Sequence, residues 1–105
     1  MRAARNEAMF RGVNEQMRDV NEGFASITDM YAIVCECADV GCLDMLEMRR
    51  LDYLGVRANP RQFFVGRGHV LPDVERVVAE YDGYAVVEKV GDAGVVAEAL
   101  EPAQD

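Results

Sequence analysis

One serine, one histidine and three cysteines in 105 residues close off several kinds of chemistry at once. With Ser26 the sole serine and His69 the sole imidazole, neither a serine nor a cysteine nucleophile has a free general base. There is no Gly-x-Ser-x-Gly elbow, no glycine-rich phosphate loop between strand and helix, and no His-Glu-x-x-His. Carboxylates are numerous, but no two are paired in an apolar setting, so general acid–base work has no visible site. The chain therefore reads as not an enzyme. No run approaches the roughly eighteen apolar residues of a membrane span, and Met1-Arg2-Ala3-Ala4-Arg5-Asn6-Glu7 lacks the apolar core of a secretion signal. An odd cysteine count leaves one thiol over after any disulfide. These absences point to a cytoplasmic protein with reduced thiols and no membrane contact.

What is present is a chain of one-domain length, half hydrophobic by composition, and close to the size at which a metal staple helps a small core. The formal net charge of −8 argues against nucleic acid as a partner. All of it falls after residue 28, because residues 1–28 carry four basic and four acidic groups. Within the acidic part, Arg49, Arg50, Arg57, Arg61 and Arg67 are opposed locally only by Asp52. Such a patch can bind an anion or serve a nucleic-acid-binding module, although most arginine runs are solvated helix faces. Ten arginines against one lysine fit a GC-rich genome.

All three cysteines lie in Cys35-Glu36-Cys37-Ala38-Asp39-Val40-Gly41-Cys42, and His69 sits in a Gly68-His69 step downstream. Three soft sulfur donors and an imidazole are the complement of a closed tetrahedral Cys3His site, which suits Zn²⁺ in a structural role. On an extended strand, residues i and i+2 share a face, so Cys35 and Cys37 can meet one ion while Glu36 points away. Gly41 allows the reversal that brings Cys42 round. Asp39, Asp44 or a water is the alternative to His69, iron the alternative to zinc, and burial as small hydrophobes the non-metal use of the cysteines.

The spacing of Ala3, Asn6, Phe10, Val13, Met17, Val20 and Phe24 is that of a heptad seam and predicts a helix over residues 2–23, closed by Gly23. The seam either docks on the protein's own sheet or pairs with another helix, in a partner protein or a second copy. Residues 30–34 and 43–48 read as a hairpin tipped by the metal loop. Residues 49–58 read as a short helix with Leu51, Leu54 and Val56 inward and Tyr53 partly so, stopped by Asn59-Pro60. Phe63-Phe64-Val65 forms a short strand leading to the Gly66-Arg67-Gly68-His69 loop. Residues 74–81 and 84–90 flank the hairpin signal Asp82-Gly83. A last helix capped by Asp92 turns Val95, Val96, Ala99 and Leu100 inward.

The blocks Asn6-Glu7-x-x-Phe10-Arg11-x-Val13-Asn14-Glu15, Val34-Cys35-Glu36-Cys37 with Cys42, the run from Tyr53 through Arg57, Pro60 and Phe63 to Gly68-His69, and Gly83-Tyr84-x-Val86-Val87-Glu88-Lys89 resemble a group of small actinobacterial proteins of unknown function. The resemblance implies that Cys35, Cys37, Cys42 and His69 act as one unit, and implies no activity. Cys-x-Cys is also similar to the start of SWIM zinc domains, but His69 lies too far from Cys42 for that pattern. The expected fold is α+β: an N-terminal helix (1–27), then a zinc-stapled domain (28–101) of metal-tipped, zinc-ribbon-like hairpin, short helix, second hairpin and C-terminal helix, then a tail (102–105). The expected function is an interaction or regulatory module docking through Phe10, Val13, Met17, Val20 and Phe24. The alternatives are a thiol switch that releases zinc on oxidation and a nucleic-acid-binding module.

Overall fold

The computed structural model describes residues 2–37, 39 and 41–100, with side chains from Glu7 onward. It has the expected α+β architecture, in the order α1 (Arg2–Gln16), α2 (Arg18–Thr28), β1 (Met30–Val34), β2 (Met45–Arg49), α3 (Arg50–Arg57), β3 (Gln62–Val65), β4 (Glu75–Tyr81), β5 (Tyr84–Lys89) and α4 (Gly91–Ala99). The proposed tail at 102–105 and the seam side chains of Ala3 and Asn6 lie outside what is described.

Alternation builds the first hairpin. Tyr31 and Ile33 of β1 share a face with Leu46 and Met48 of β2, and all four are buried, in an antiparallel register that pairs Val34 with Met45. The loop between the strands carries the three cysteines. In the second sheet the order is β3-β5-β4, with Gly83 at φ 88° turning the β4–β5 hairpin. The expected strand Phe63-Phe64-Val65 pairs with β5, and a register shift between Val77 and Ala79 leaves Val78 on the exposed edge. Aromatic rings join the two sheets: Tyr31 lies 5.0 Å from Tyr53, Tyr53 stacks on Phe64 at 5.4 Å, and Phe64 lies 5.9 Å from Tyr84.

The N-terminal helix departs from expectation in length and in facing. It is interrupted at Met17, passes through Gly23 and ends only after Thr28, where Asp29 takes the left-handed conformation (φ 61°). Its inward stripe is polar. Asn14 Oδ1 accepts a hydrogen bond from the Val34 N–H (2.9 Å), Asn21 Oδ1 from Ala32 (2.9 Å) and Thr28 Oγ1 from Met30 (3.1 Å). These residues recur every seven positions while their partners recur every two. Since the Cys35 N–H points to Asp44 on the β2 side, the N–H groups of 30, 32 and 34 form the outer edge of β1. Helix side chains therefore cap that edge, which otherwise would be open to pairing with another strand. Nearer the N-terminus, Arg11 donates to the Pro60 and Ala97 carbonyls (2.6 and 2.8 Å) with its guanidinium over Phe63, and Glu7 meets Lys89.

The seam is consequently split. Phe10 is buried and Met17 half-buried, whereas Val20 (61%), Phe24 (64%) and Ile27 (87%) face solvent and Val13 is largely exposed. Two further faces differ from expectation. In α3, Leu54 and Val56 pack partly against the core as expected, but Leu51 turns outward and Arg57 inward, and Tyr53 is fully buried because it completes the ring stack. In α4, Ala93, Gly94 and Ala97 turn inward and Val95 and Leu100 outward. Small residues let Arg61 approach, its guanidinium filling the space a Cβ on Gly94 would need. Asp92 makes no capping bond; Val90 holds the N-cap position.

Candidate metal centre

Cys35 and Cys37 follow directly from β1, and two backbone bonds fix the segment from opposite sides. The Cys35 N–H donates to the Asp44 carbonyl at 2.8 Å and the Glu36 N–H to the Phe64 carbonyl at 2.8 Å. Asp39 shapes the return: its Oδ1 accepts from the Gly41 N–H (2.8 Å) and its carbonyl from the Cys42 N–H (3.0 Å). His69 arrives on a β-turn in which its N–H donates to the Gly66 carbonyl at 3.0 Å and Gly68, at φ 88°, takes the third position. A positive φ there is the requirement of a type II turn. Gly66 meets a different demand, since a Cβ on it would stand 3.2 Å from His69 Nδ1 and Cε1.

The result is that Cys35, Cys37, Cys42 and His69 converge, with their four donor atoms all within 4.8 Å of one another. His69 Nδ1 lies 3.4 Å from Cys35 Sγ and 3.7 Å from Cys42 Sγ. This group can hold a metal ion. Cys35 and Cys37 are buried; Cys42 and His69 are half-buried beside a cavity of about 450 Å³ whose wall includes Asp39 and Asp44. Asp44 Oδ2 stands 3.7 Å from His69 Nε2, on the ring edge away from the sulfurs. Burial pushes the Cys35 thiol up to about 12, against the Gly66 N–H that donates to its sulfur at 3.2 Å. Burial likewise raises Cys37. Without a cation these thiols hold their protons, and an ion bound among them would displace those protons as it forms metal–sulfur bonds.

Glu36 indeed points away from the cysteines, but into the protein. It is completely buried, and its two oxygens accept four bonds. Oε1 accepts from Arg57 Nη2 (2.8 Å) and the Phe64 N–H (3.0 Å); Oε2 accepts from Arg57 Nη1 (2.7 Å) and Asn14 Nδ2 (2.7 Å). Every lone-pair direction of the carboxylate is used. Asn14 is equally occupied, since Nδ2 also donates to the Val34 carbonyl at 2.9 Å. The partners of Glu36 lie 21 to 28 positions away, so no local pattern announces them. The one local signal is a charged residue forced inward by the alternation that brings its two neighbours, Cys35 and Cys37, into the donor cluster.

Four of the five arginines proposed as an anion-binding patch have a carboxylate neighbour. Arg57 is buried on Glu36, Arg50 meets Glu22 at 2.9 Å, Arg61 meets Glu98, and Arg67 lies 3.9 Å from Glu80. Carboxylates distant in sequence thus oppose four of the five, and Arg49 is the exposed remainder. Among the described residues no helix is long and apolar enough to cross a membrane. No protein-family model, curated protein or solved structure matches this chain.

Proposed function

We propose that the chain is a non-catalytic, zinc-stapled interaction module in which Cys35, Cys37, Cys42 and His69 hold one structural Zn²⁺. The observation that carries this reading is the convergence of the four donors. With Zn–S near 2.3 Å and Zn–N near 2.0–2.1 Å, a tetrahedral site sets sulfur and nitrogen roughly 3.5 Å apart. The two sulfur–Nδ1 distances, 3.4 and 3.7 Å, bracket that value and favour Nδ1 as the ligating nitrogen. Four protein donors complete the tetrahedron, which supports a staple over a catalytic ion with an open position. Binding energies of structural zinc, on the order of 10–16 kcal/mol, rival the whole stability of a domain this size.

Native mass spectrometry tests the reading: one zinc per chain is expected, with X-ray absorption showing three sulfurs and one nitrogen. Cys37→Ser is expected to lose the ion and unfold the hairpin of β1 and β2. A Cys37→Ser chain with wild-type zinc content and stability would refute the assignment.

The half-exposed Cys42 favours a second reading, in which peroxide oxidises its thiolate to a sulfenic acid and so removes one ligand. Acidic Asp39 and Asp44 beside it disfavour an anionic transition state, so slow zinc release in dilute peroxide is the expected result. Release within seconds would make the redox role the better description. For docking, the exposed Val20, Phe24 and Ile27 supply the surface, and a protein partner or a second copy is the occupant we propose.

A further inference from the structure

We infer that Asn14 and Glu36 are positioning residues for the metal centre, and that they couple metal binding to the seating of the N-terminal helix. This rests on the metal reading above.

Glu36 is the one residue between two ligands, so its placement fixes both. Rotating its side chain out of the core would rotate the 35–37 backbone and part the two sulfurs, because successive residues of an extended segment face opposite ways. What holds it inward comes from three elements. Arg57 of α3 supplies two donors, the Phe64 N–H of β3 a third, and Asn14 of α1 the fourth. The α1 contribution is the separable one. α3 and β3 follow the hairpin and pack into the aromatic core, whereas α1 reaches this network chiefly through buried polar bonds. Asn14 also holds both backbone groups of Val34, the residue immediately before Cys35. One amide therefore fixes the backbone before the first ligand and the side chain between the first and second.

Groups that orient metal ligands from behind typically contribute 10–100-fold in metal affinity. By linkage, whatever factor the seated helix adds to metal affinity, bound metal adds to the seating of the helix. If α1 lifts, the Glu36 carboxylate loses a donor in a water-poor site and the Val34 N–H and carbonyl lose their partners together.

Asn21 provides a matched control. It is buried, lies on the same helical stripe and accepts from the next outer N–H of the same strand, Ala32, but has no bond to Glu36. The experiment measures zinc affinity by competition with a chromophoric chelator, and amide hydrogen exchange over residues 2–28 with and without zinc. Wild type, Asn14→Ala, Asn21→Ala and Glu36→Gln are compared in the full chain. The expected results are a 10–100-fold weaker zinc affinity for Asn14→Ala and Glu36→Gln, a change of less than about 3-fold for Asn21→Ala, and slower exchange in α1 when zinc binds wild type. In Asn14→Ala that slowing should shrink in proportion to the lost affinity. Equal weakening by Asn14→Ala and Asn21→Ala would overturn the inference, showing general destabilisation only. Zinc binding to wild type with unchanged α1 exchange would also overturn it while leaving the metal reading intact. Failure of wild type to bind zinc would overturn both.

Discussion

Arg57 and Glu36 meet as a two-pronged ion pair, at 2.7 and 2.8 Å, with 6% and none of their side-chain surfaces open to solvent. Burial opposes the charge on Arg57, but the carboxylate outweighs it and raises the guanidinium pKa. The planar fork matches the carboxylate geometry, which a lysine would not do. Removing one partner of such a pair strands the other, at a cost of about 3–5 kcal/mol. Arg57→Met should therefore lower the unfolding free energy by that amount in urea titrations of the zinc-bound protein. A loss below about 1 kcal/mol would show that Glu36 finds other compensation, and that the pair does not anchor the metal loop.

A second buried charge cluster makes stability depend on pH. Lys89 donates to both Glu7 and Glu75, and all three are buried. One cation cannot balance two desolvated carboxylates. Burial, with Glu75 alongside, raises the Glu7 pKa from 4.5 to about 9. Burial opposes ionisation of Glu75 too, but bonds from Glu7, Lys89 and the Leu71 N–H lower its pKa. Glu7 thus keeps a proton that the unfolded chain has lost between pH 4.5 and about 9. In that window the folded state binds more protons, so Glu7's contribution, full below pH 4.5, is lost as pH rises. The Glu75 contribution has the opposite sign and disappears only as pH falls through its lowered pKa. Thermal melts from pH 5 to 9 should show the wild-type advantage over Glu7→Ala declining. Glu7→Gln, which mimics the protonated acid, should flatten that component. Parallel pH profiles for all three chains would sink the assignment.

The Cys3His cluster is legible in the sequence because ligand chemistry admits few residue types, and a period of two places Cys35 and Cys37 together without knowledge of the fold. The hairpins were readable for the same local reason: β1 alternates, and Asp82-Gly83 names its own turn. Helix facing was not. Reading a heptad of Phe10, Val13, Met17, Val20 and Phe24 assumes that the apolar side goes in. Here Glu7, Arg11, Asn14 and Asn21 go in, since each has a polar partner, and those partners lie from 11 to 86 residues away. No local pattern carries that information. Arg57 shows the same limit, as its partner Glu36 lies 21 positions upstream on a different element. In α4 a stripe of Ala93, Gly94 and Ala97 went in because close approach mattered more there than apolar area.

Gly66 tests how closely the histidine loop is fitted. Its backbone is not in the left-handed region, so alanine brings no φ strain there. The added methyl would instead stand 3.2 Å from His69 Nδ1 and Cε1, tighter than comfortable contact, and the ring must move by a few tenths of an ångström. Because Nδ1 is the proposed ligand atom, zinc affinity should fall while the sheets stay intact. Circular dichroism like that of wild type, with zinc binding weakened roughly 10-fold, is the expected pair of results. Unchanged affinity would mean that the imidazole is not a ligand, or that it binds through Nε2.

The split seam yields a prediction about association. Val20, Phe24 and Ile27 of α2 are mostly exposed, with Phe24 at the rim of a cavity it shares with Asn21, Met30, Tyr31 and Ala32, so changing them removes little buried surface of the monomer. Full burial of such side chains is worth roughly 1.5–3 kcal/mol each, enough to drive pairing when two stripes meet. Phe24→Glu should leave fold, zinc content and melting temperature within error of wild type. If the stripe pairs with a second copy, light scattering should show wild type as a dimer and Phe24→Glu as a monomer. A wild-type chain that stays monomeric at high concentration would exclude self-pairing and leave a different protein as the proposed occupant. Met17→Glu answers a different question, because Met17 is half-buried where α1 gives way to α2, and its carbonyl accepts from the Asn21 N–H at 3.0 Å. A charge there presses on the helix junction itself, so Met17→Glu should lower the melting temperature even in a monomer. If instead Phe24→Glu unfolds the chain and Met17→Glu does not, the inward face of the helix has been assigned to the wrong side.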